Sequence, residues 1–262
     1  MATFEGYPRP DGPAGVRNYV AVIPTSVAAS PVADEIAERA GESVRSTPHQ
    51  MGSDPPTAAR EQVERTLTGV GTNPNVGAAL VVSLGTETTD ADGIADAIAA
   101  AGRPVETLAL REVSGTTAAL EDGTAVAERL RADVADARRV ECDASELVFG
   151  VECGGSDATS GIAANPAVGA ACDRLVRDGG TATFSETPEF IGAEHILADR
   201  CADDDVRERL LDRVERREST AQLMGVDLRG AQPTPGNQEG GLTTIEEKSL
   251  GAISKGGTTP IR

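Results

Sequence analysis

Cys153-Gly154-Gly155-Ser156-Asp157 sets a thiol, two glycines, a hydroxyl and a carboxylate side by side. Glycines let backbone N–H groups approach an anion closely, and the flanking hydroxyl and carboxylate add hydrogen bonds, so the turn suits a cradle for a carboxylate or a hydroxylated ligand. The alternative is a tight strand-to-helix connection in which Ser156 and Asp157 only cap backbone groups. Asn165-Pro166 then reads as the cap and first residue of the next helix. A second group, in "FSETPEFIGAEH", holds Glu186, Glu189, Glu194 and His195. Carboxylates beside an imidazole can ligate a divalent metal or move protons. His49 is the other histidine, and a lone histidine is more often structural or exposed than a ligand. Both lysines, Lys248 and Lys255, fall in "EEKSLGAISKGG". An ammonium titrates or forms a compact ion pair where a guanidinium does not; two surface lysines are the plain alternative. Arg9, Asp11, Arg17 and Asn18 precede the first apolar run and offer polar groups, or form a solvated arm.

These groups need elements to hold them. The apolar runs Tyr19–Pro24, Ala78–Gly85, Val105–Leu110, Glu146–Glu152 and Thr181–Glu186 read as strands, several apolar on both faces. Helical patterns lie between them at Pro31–Ala40, Thr57–Thr68, Ala91–Ala101, Thr116–Ala137, Pro166–Arg177, Ala193–Asp199 and Asp204–Glu218. The alternation predicts an α/β fold with mostly parallel sheets and crossover helices. An uneven acidic segment, Glu141–Glu146, suggests two lobes, residues 1–142 and 143–224. From Gly225 glycine and proline are frequent and periodicity is weak, so 225–262 reads as a loop-rich segment, disordered by composition alone. In an open parallel sheet ligands sit beyond the carboxyl ends of the strands, which is where Cys153–Asp157 and Glu186–His195 should lie.

Composition narrows the classes. With 42 acidic and 24 basic residues the net charge is −18, and almost all the cations are arginines. A dense carboxylate surface of this kind suits a halophilic cytoplasm, since the Debye length at molar salt is only about 3 Å. Such a field argues against nucleic acid, whose binding rests on cations against phosphate. No apolar run is long enough for a membrane span and no signal peptide is readable, so a cytoplasmic protein is expected. Cys142, Cys153, Cys172 and Cys201 form no CxxC pair and are expected as free thiols.

"FEGYPRPDGPAGVRNYVAV", "GTNPNVGAALVV", "CGGSDATSGIAANPAVGAACDRLV", "GGTATFSETPEFIGAEHILADR" and "PTPGNQEGGLTTIEEKSLGAISKGGTTP" occur in this order. Together they resemble the large catalytic region of the altronate and galactarate dehydratase family, which includes the sulfolactate sulfo-lyase large subunit. The resemblance implies a lyase that needs a divalent metal such as Fe2+ or Mn2+ and removes water from a sugar acid to give a 2-keto-3-deoxy acid. It implies that Arg9, Arg17, Asn18, Cys153, Gly154, Gly155, Ser156 and Asn165 hold substrate. Asp157, Glu194, His195, Lys248 and Lys255 become the candidates for proton transfer and charge neutralisation. His49, Glu186, Glu194 and His195 become the candidate metal ligands. The segment 225–262 is then ordered over the site.

The chain departs from the family pattern where a "TVNCS"-like stretch, a "GCG" and a "GLGCE" are expected: it has Ala28, Met51-Gly52-Ser53 and Thr86 there. Of the family's cysteine motifs the one at Cys153 remains. The family region also ordinarily continues past "KGGTTP" and is preceded by, or paired with, a small domain, so a partner subunit or a homo- or hetero-oligomer is expected. The competing readings are a non-catalytic paralogue that binds or assembles, and a sulfo-lyase or other β-elimination on a hydroxy acid.

Overall fold

A computed structural model describes residues 2–10 and 12–262; Asp11 lies outside the described residues. The chain divides into two compact units, Thr3–Cys142 and Asp143–Arg262, the latter joined by Ala2. The fold is α/β with parallel sheets and crossover helices, as the alternation predicts. Among the described residues no helix is long and apolar enough to cross a membrane.

The N-terminal unit runs β1 (Thr3–Gly6), β2 (Tyr19–Pro24), α1 (Ser30–Ala40), β3 (Val44–Ser46), α2 (Thr57–Gly71), β4 (Val76–Ser83), α3 (Ala91–Ala100), β5 (Val105–Ala109), α4 (Thr116–Asp133) and β6 (Val140–Asp143). Its parallel sheet has the order β3-β2-β4-β5, and β1 pairs with β6. Val20, Val22, Leu80 and Val82 pack on Ile36, Ala127 and Leu130 of α1 and α4. The alternate residues Ala21, Ile23, Ala79 and Val81 pack on Val63, Leu67, Ile94 and Ile98 of α2 and α3. Helices cover both faces, which is why the strands are apolar without alternation. The short strands β1, β3 and β6 carry too few residues for a periodic signal and were not among the expected ones.

The second unit runs β7 (Val148–Val151), α5 (Asn165–Arg177), β8 (Thr181–Phe184), α6 (Glu194–Ala198), α7 (Asp204–Leu223), α8 (Pro235–Glu239) and α9 (Ile245–Ile253). Strands β7 and β8 pair in parallel, Val148 opposite Thr181 and Val151 opposite Phe184. Phe190, Ile191, Leu197, Val214 and Ile253 form its core, and the rings of Phe184 and Phe190 meet edge-on at 5.1 Å.

Composition alone reads 225–262 as disordered; it is instead folded into the second unit. Thr234 and Asn237 cap α8 reciprocally, and Thr244 caps α9. The glycines permit close backbone crossing: a Cβ on Gly161 would lie 2.7 Å from the Cα of Gly251.

Candidate active site

The parallel register of β7 and β8 brings the residues just after them together. Glu152 follows β7 and Ser185-Glu186 follows β8, and the Ser185 hydroxyl donates to Glu152. Glu186 holds φ at 63°, a left-handed conformation uncommon outside glycine. This turns the chain into a single helical turn, Thr187–Phe190, that carries Glu189. Ligand-type oxygens of Glu152, Glu186 and Glu189 lie within 4.8 Å of one another. The contact with Glu186 pushes the Glu152 pKa up, reinforced by burial and like-charge repulsion.

Lys255 meets this group from the C-terminal segment. Its side chain is 1% exposed, and Nζ donates to Glu189 Oε2 at 2.5 Å and to Cys153 Sγ at 3.1 Å. Burial opposes the ammonium, but the bonds to Glu189 and Cys153 outweigh it and the pKa is raised. Burial also pushes the Cys153 thiol up, which the Lys255 hydrogen bond only partly offsets. Both groups are therefore protonated at neutral pH. Two close approaches fix this geometry. Gly169 of α5 packs on the carbonyl of Ser254, and Asp173 of α5 accepts the N–H groups of Thr258 and Thr259 at 2.7 and 3.0 Å.

Asn165 connects this centre to a cavity. Its amide donates to Gly251 O at 2.9 Å and lies 3.9 Å from Cys153 Sγ. The cavity holds about 250 Å3 and is lined by Ser156, Asp157, Ser160, Asn165, Lys248 and Leu250 among others. A π-helical turn, Ser160–Ala164, forms one wall and runs directly into α5. Asn165 is thus not the cap expected from "NP": the helical backbone has already begun at Ser160, so its side chain is free to face Cys153. Asp157 takes the capping role, accepting the N–H of Thr159 at 2.8 Å and of Ser160 at 3.1 Å. Hydrogen bonds from Thr159 and Ser160 hold its pKa down.

Two family models together match most of the chain: the D-galactarate dehydratase/altronate hydrolase second domain over 6–135, and the D-galactarate/altronate dehydratase C-terminal domain over 144–262. The chain belongs to the galactarate and altronate dehydratase family. Members similar to it include the (2R)-sulfolactate sulfo-lyase subunit beta of Chromohalobacter salexigens, 40% identical over 97% of this chain and 64% of the relative. The altronate dehydratase of Bacillus subtilis is 31% identical over 99% of this chain and 53% of its own length. The galactarate dehydratase (L-threo-forming) of Escherichia coli is 40% identical over 75% of this chain and 39% of its own length. The chain therefore spans between two fifths and two thirds of these family members.

Within this family frame the expected site residues separate. In the second unit Ser156, Asp157, Asn165 and Lys248 line the cavity, and Cys153, Glu186 and Lys255 belong to the carboxylate and lysine group that Asn165 adjoins through Cys153. Gly154 and Gly155 stand in the open turn, with nothing near their Cβ positions. Glu194 and His195 do not join them. Glu194 accepts from Arg229 at 2.7 Å and from Gly192 N at 2.5 Å. Arg229 in turn holds Glu218, so Glu194 braces α6 against the segment after α7. Burial raises its pKa, but these bonds prevail and lower it. His195 is exposed on α6. Neither belongs to a converging ligand group among the described residues. Their nearness to Glu186 in sequence misleads because the turn Thr187–Phe190 and the Ile191–Ala193 link carry them away from the sheet edge.

His49 also departs from its expected role. Its Nε2 lies 3.0 Å from Pro24 O and its Nδ1 accepts Met51 N at 3.2 Å, so the backbone of the N-terminal unit engages both nitrogens. Arg9 donates to Pro74 O and Arg17 O, Arg17 to Val16 O, and Asn18 to Val134 O. Burial and Arg103 pull the Arg9 pKa down to about 10. These three residues brace their own unit. Glu152 was missed as a site residue, and Glu189, noted in the acidic group after β8, was not carried into the candidate ligand set. The available signal was position: Glu152 directly precedes Cys153 at the end of a strand, and Glu189 lies one helical turn after Glu186.

Proposed function

We propose that the second unit carries the active site of a β-eliminating lyase acting on an α-hydroxy acid, a sugar acid such as galactarate or altronate in the first instance. The observation that carries the reading is the buried Lys255 ammonium against Glu189 and Cys153, beside Asn165, which approaches Cys153 and lines a small cavity. The relatives' names cover loss of water and loss of sulfite, and the two share one electron flow. The α C–H pair becomes the C=C bond, the β-substituent leaves with its own pair, and the enol becomes a 2-keto acid. Sulfolactate elimination is the second reading, favoured by the 40% identical sulfo-lyase subunit.

The chain's own groups fit these steps. Charge develops on the substrate carboxylate as the α-proton leaves, and a buried cation aimed at that position stabilises it far more than one in water. Lys255 supplies that cation, and Glu189 keeps it charged. Glu152 and Glu186 share a hydrogen-bonded contact in which one carboxyl is readily protonated, so the pair can take the α-proton and return one to a departing hydroxyl. Asn165 orients the acid between Lys255 and the cavity. A cation can take the place of that shared proton, and the oxygen donor set of Glu152, Glu186 and Glu189 suits a hard divalent metal such as Mn2+. When bound, such a metal would supply further charge stabilisation to the enolate. Glu152 and Glu189 take the place of Glu194, His195 and His49 in this ligand set. The word "subunit" in the sulfo-lyase relative's name supports a partner chain as well.

The test is incubation with galactarate, altronate and sulfolactate in high salt with Mn2+, Fe2+ or Mg2+, reading 2-keto acid and sulfite. Product from at least one acid, lost in Lys255→Met, is the expected result. Binding without product from any acid leaves a binding subunit.

A further inference from the structure

We infer that Lys248 is a specificity-determining residue that selects acids bearing a second anionic group, a dicarboxylate or a sulfo-carboxylate, over acids with a single charge. The inference rests on the proposed reaction for the location of the reacting end, and on the geometry around Lys248 for the rest.

Lys248 and Lys255 are seven residues apart on one nearly continuous helical stretch, α9 and the turn Ser254–Gly256 that follows it. Seven residues is about two turns, so both lysines face the same side with their α-carbons roughly 10 Å apart. One lysine meets Cys153 and Glu189, whereas the other lines the cavity that Asn165 also lines. A short hydroxy acid held between them would have one end at each ammonium.

Two carboxylates, Asp157 and Glu247, and one ammonium, Lys248, line the cavity, and neighbouring donors already engage both carboxylates. Asp157 is engaged by Thr159 and Ser160, and Glu247 accepts both the N–H and the hydroxyl of Thr243. Lys248 donates to a neutral acceptor, Gln232 Oε1, at 2.8 Å, and among the described residues no carboxylate forms an ion pair with it. An ammonium has three donors, so two remain for a ligand. The cation is half-buried, which weakens its hydration and strengthens its attraction for an anion that enters. In a chain of net charge −18, a doubly charged acid meets more repulsion on approach than a singly charged one. A cation in the cavity wall with no carboxylate partner among the described residues offsets that repulsion for the second charge. Lysine suits the role better than the arginine used throughout the chain, because a compact ammonium fits a cavity of about 250 Å3.

The test compares acids that differ only or mainly in the second charge: galactarate against galactonate, and sulfolactate against glycerate. Binding of all four is measured by calorimetry at one fixed high salt concentration, in the wild-type chain, Lys248→Met and Lys248→Arg. At least one doubly charged acid should bind tenfold or more tightly than its singly charged counterpart. Lys248→Met should remove that preference while leaving the weaker acid's affinity unchanged, and Lys248→Arg should keep part of it. Equal wild-type affinities within both pairs would overturn the inference. So would a Lys248→Met variant that weakens both members of a pair equally, or failure of all four acids to bind. Product assays run alongside separate the two readings: discrimination without product overturns the lyase alone, and product without discrimination overturns the role of Lys248 alone.

Discussion

The backbone of α5 at Gly169 runs so close to Ser254 that a Cβ on Gly169 would stand 2.2 Å from the Ser254 carbonyl oxygen. This contact sets the position of Lys255, the next residue. Gly169→Ala must push the Lys255 turn outward, and overpacking of this kind costs about 1–3 kcal/mol. A lowered Tm together with a fall in product formation larger than the Tm change explains is expected. Normal turnover in the variant would show that the Lys255 position is not critical.

Lys255 and Glu189 form the most buried ion pair described, with side chains 1% and 12% exposed. Removing one partner of such a pair leaves an uncompensated charge and costs about 3–5 kcal/mol, whereas removing both costs less. Chemical denaturation of Lys255→Met, Glu189→Gln and the double variant should show the double variant to be more stable than the sum of the two single losses predicts. Additive losses would mean the two do not act as a pair.

The raised pKa of Glu152 gives a pH test. A carboxyl whose folded pKa lies above its unfolded value contributes its full stability below the unfolded pKa, and that contribution is lost as pH rises through the folded pKa. Glu152→Gln mimics the protonated form. It should match the wild type in acid below about pH 4.3 and become the more stable of the two as pH rises toward neutrality. Thermal melts from pH 4 to 8 check this. Millimolar Mn2+ should raise the wild-type Tm at pH 7 and leave the Glu152→Gln, Glu186→Gln double variant unmoved.

Glu194 bonds an arginine that is 47% exposed, and exposed pairs contribute about 0.2–1 kcal/mol. Glu194→Gln should lower Tm slightly and leave product formation at the wild-type rate. A large loss of activity with an intact fold would return Glu194 to the site.

Repulsion among the surface carboxylates predicts a salt requirement. The Debye length grows from about 3 Å in molar salt to about 10 Å at 0.1 M, so Tm should fall across that range. A Tm that stays constant would separate the acidic composition from any need for salt.

The sequence by itself determined the type and order of the longer elements up to Leu223, because strands buried on both faces and helices with one apolar stripe leave periods that survive in one dimension. Tyr19–Pro24 and Val76–Ser83 are legible in this way. It also determined which chemical groups were available: Cys153 and Glu186 stand out by type and by position near strand ends, and Lys255 as one of two lysines in a chain that otherwise uses arginine. The tertiary structure decided which of them meet. Glu152 reaches Glu186 only through the parallel register of β7 with β8, and Lys255 reaches Cys153 only because Gly169, Gly161 and Gly251 let backbones cross. His195, nine residues from Glu186, is carried away by a single left-handed residue and a turn. Sequence distance constrains contact along one element. Across elements, contact depends on register and close packing, and these arise from the summed fit of many side chains that no single motif records.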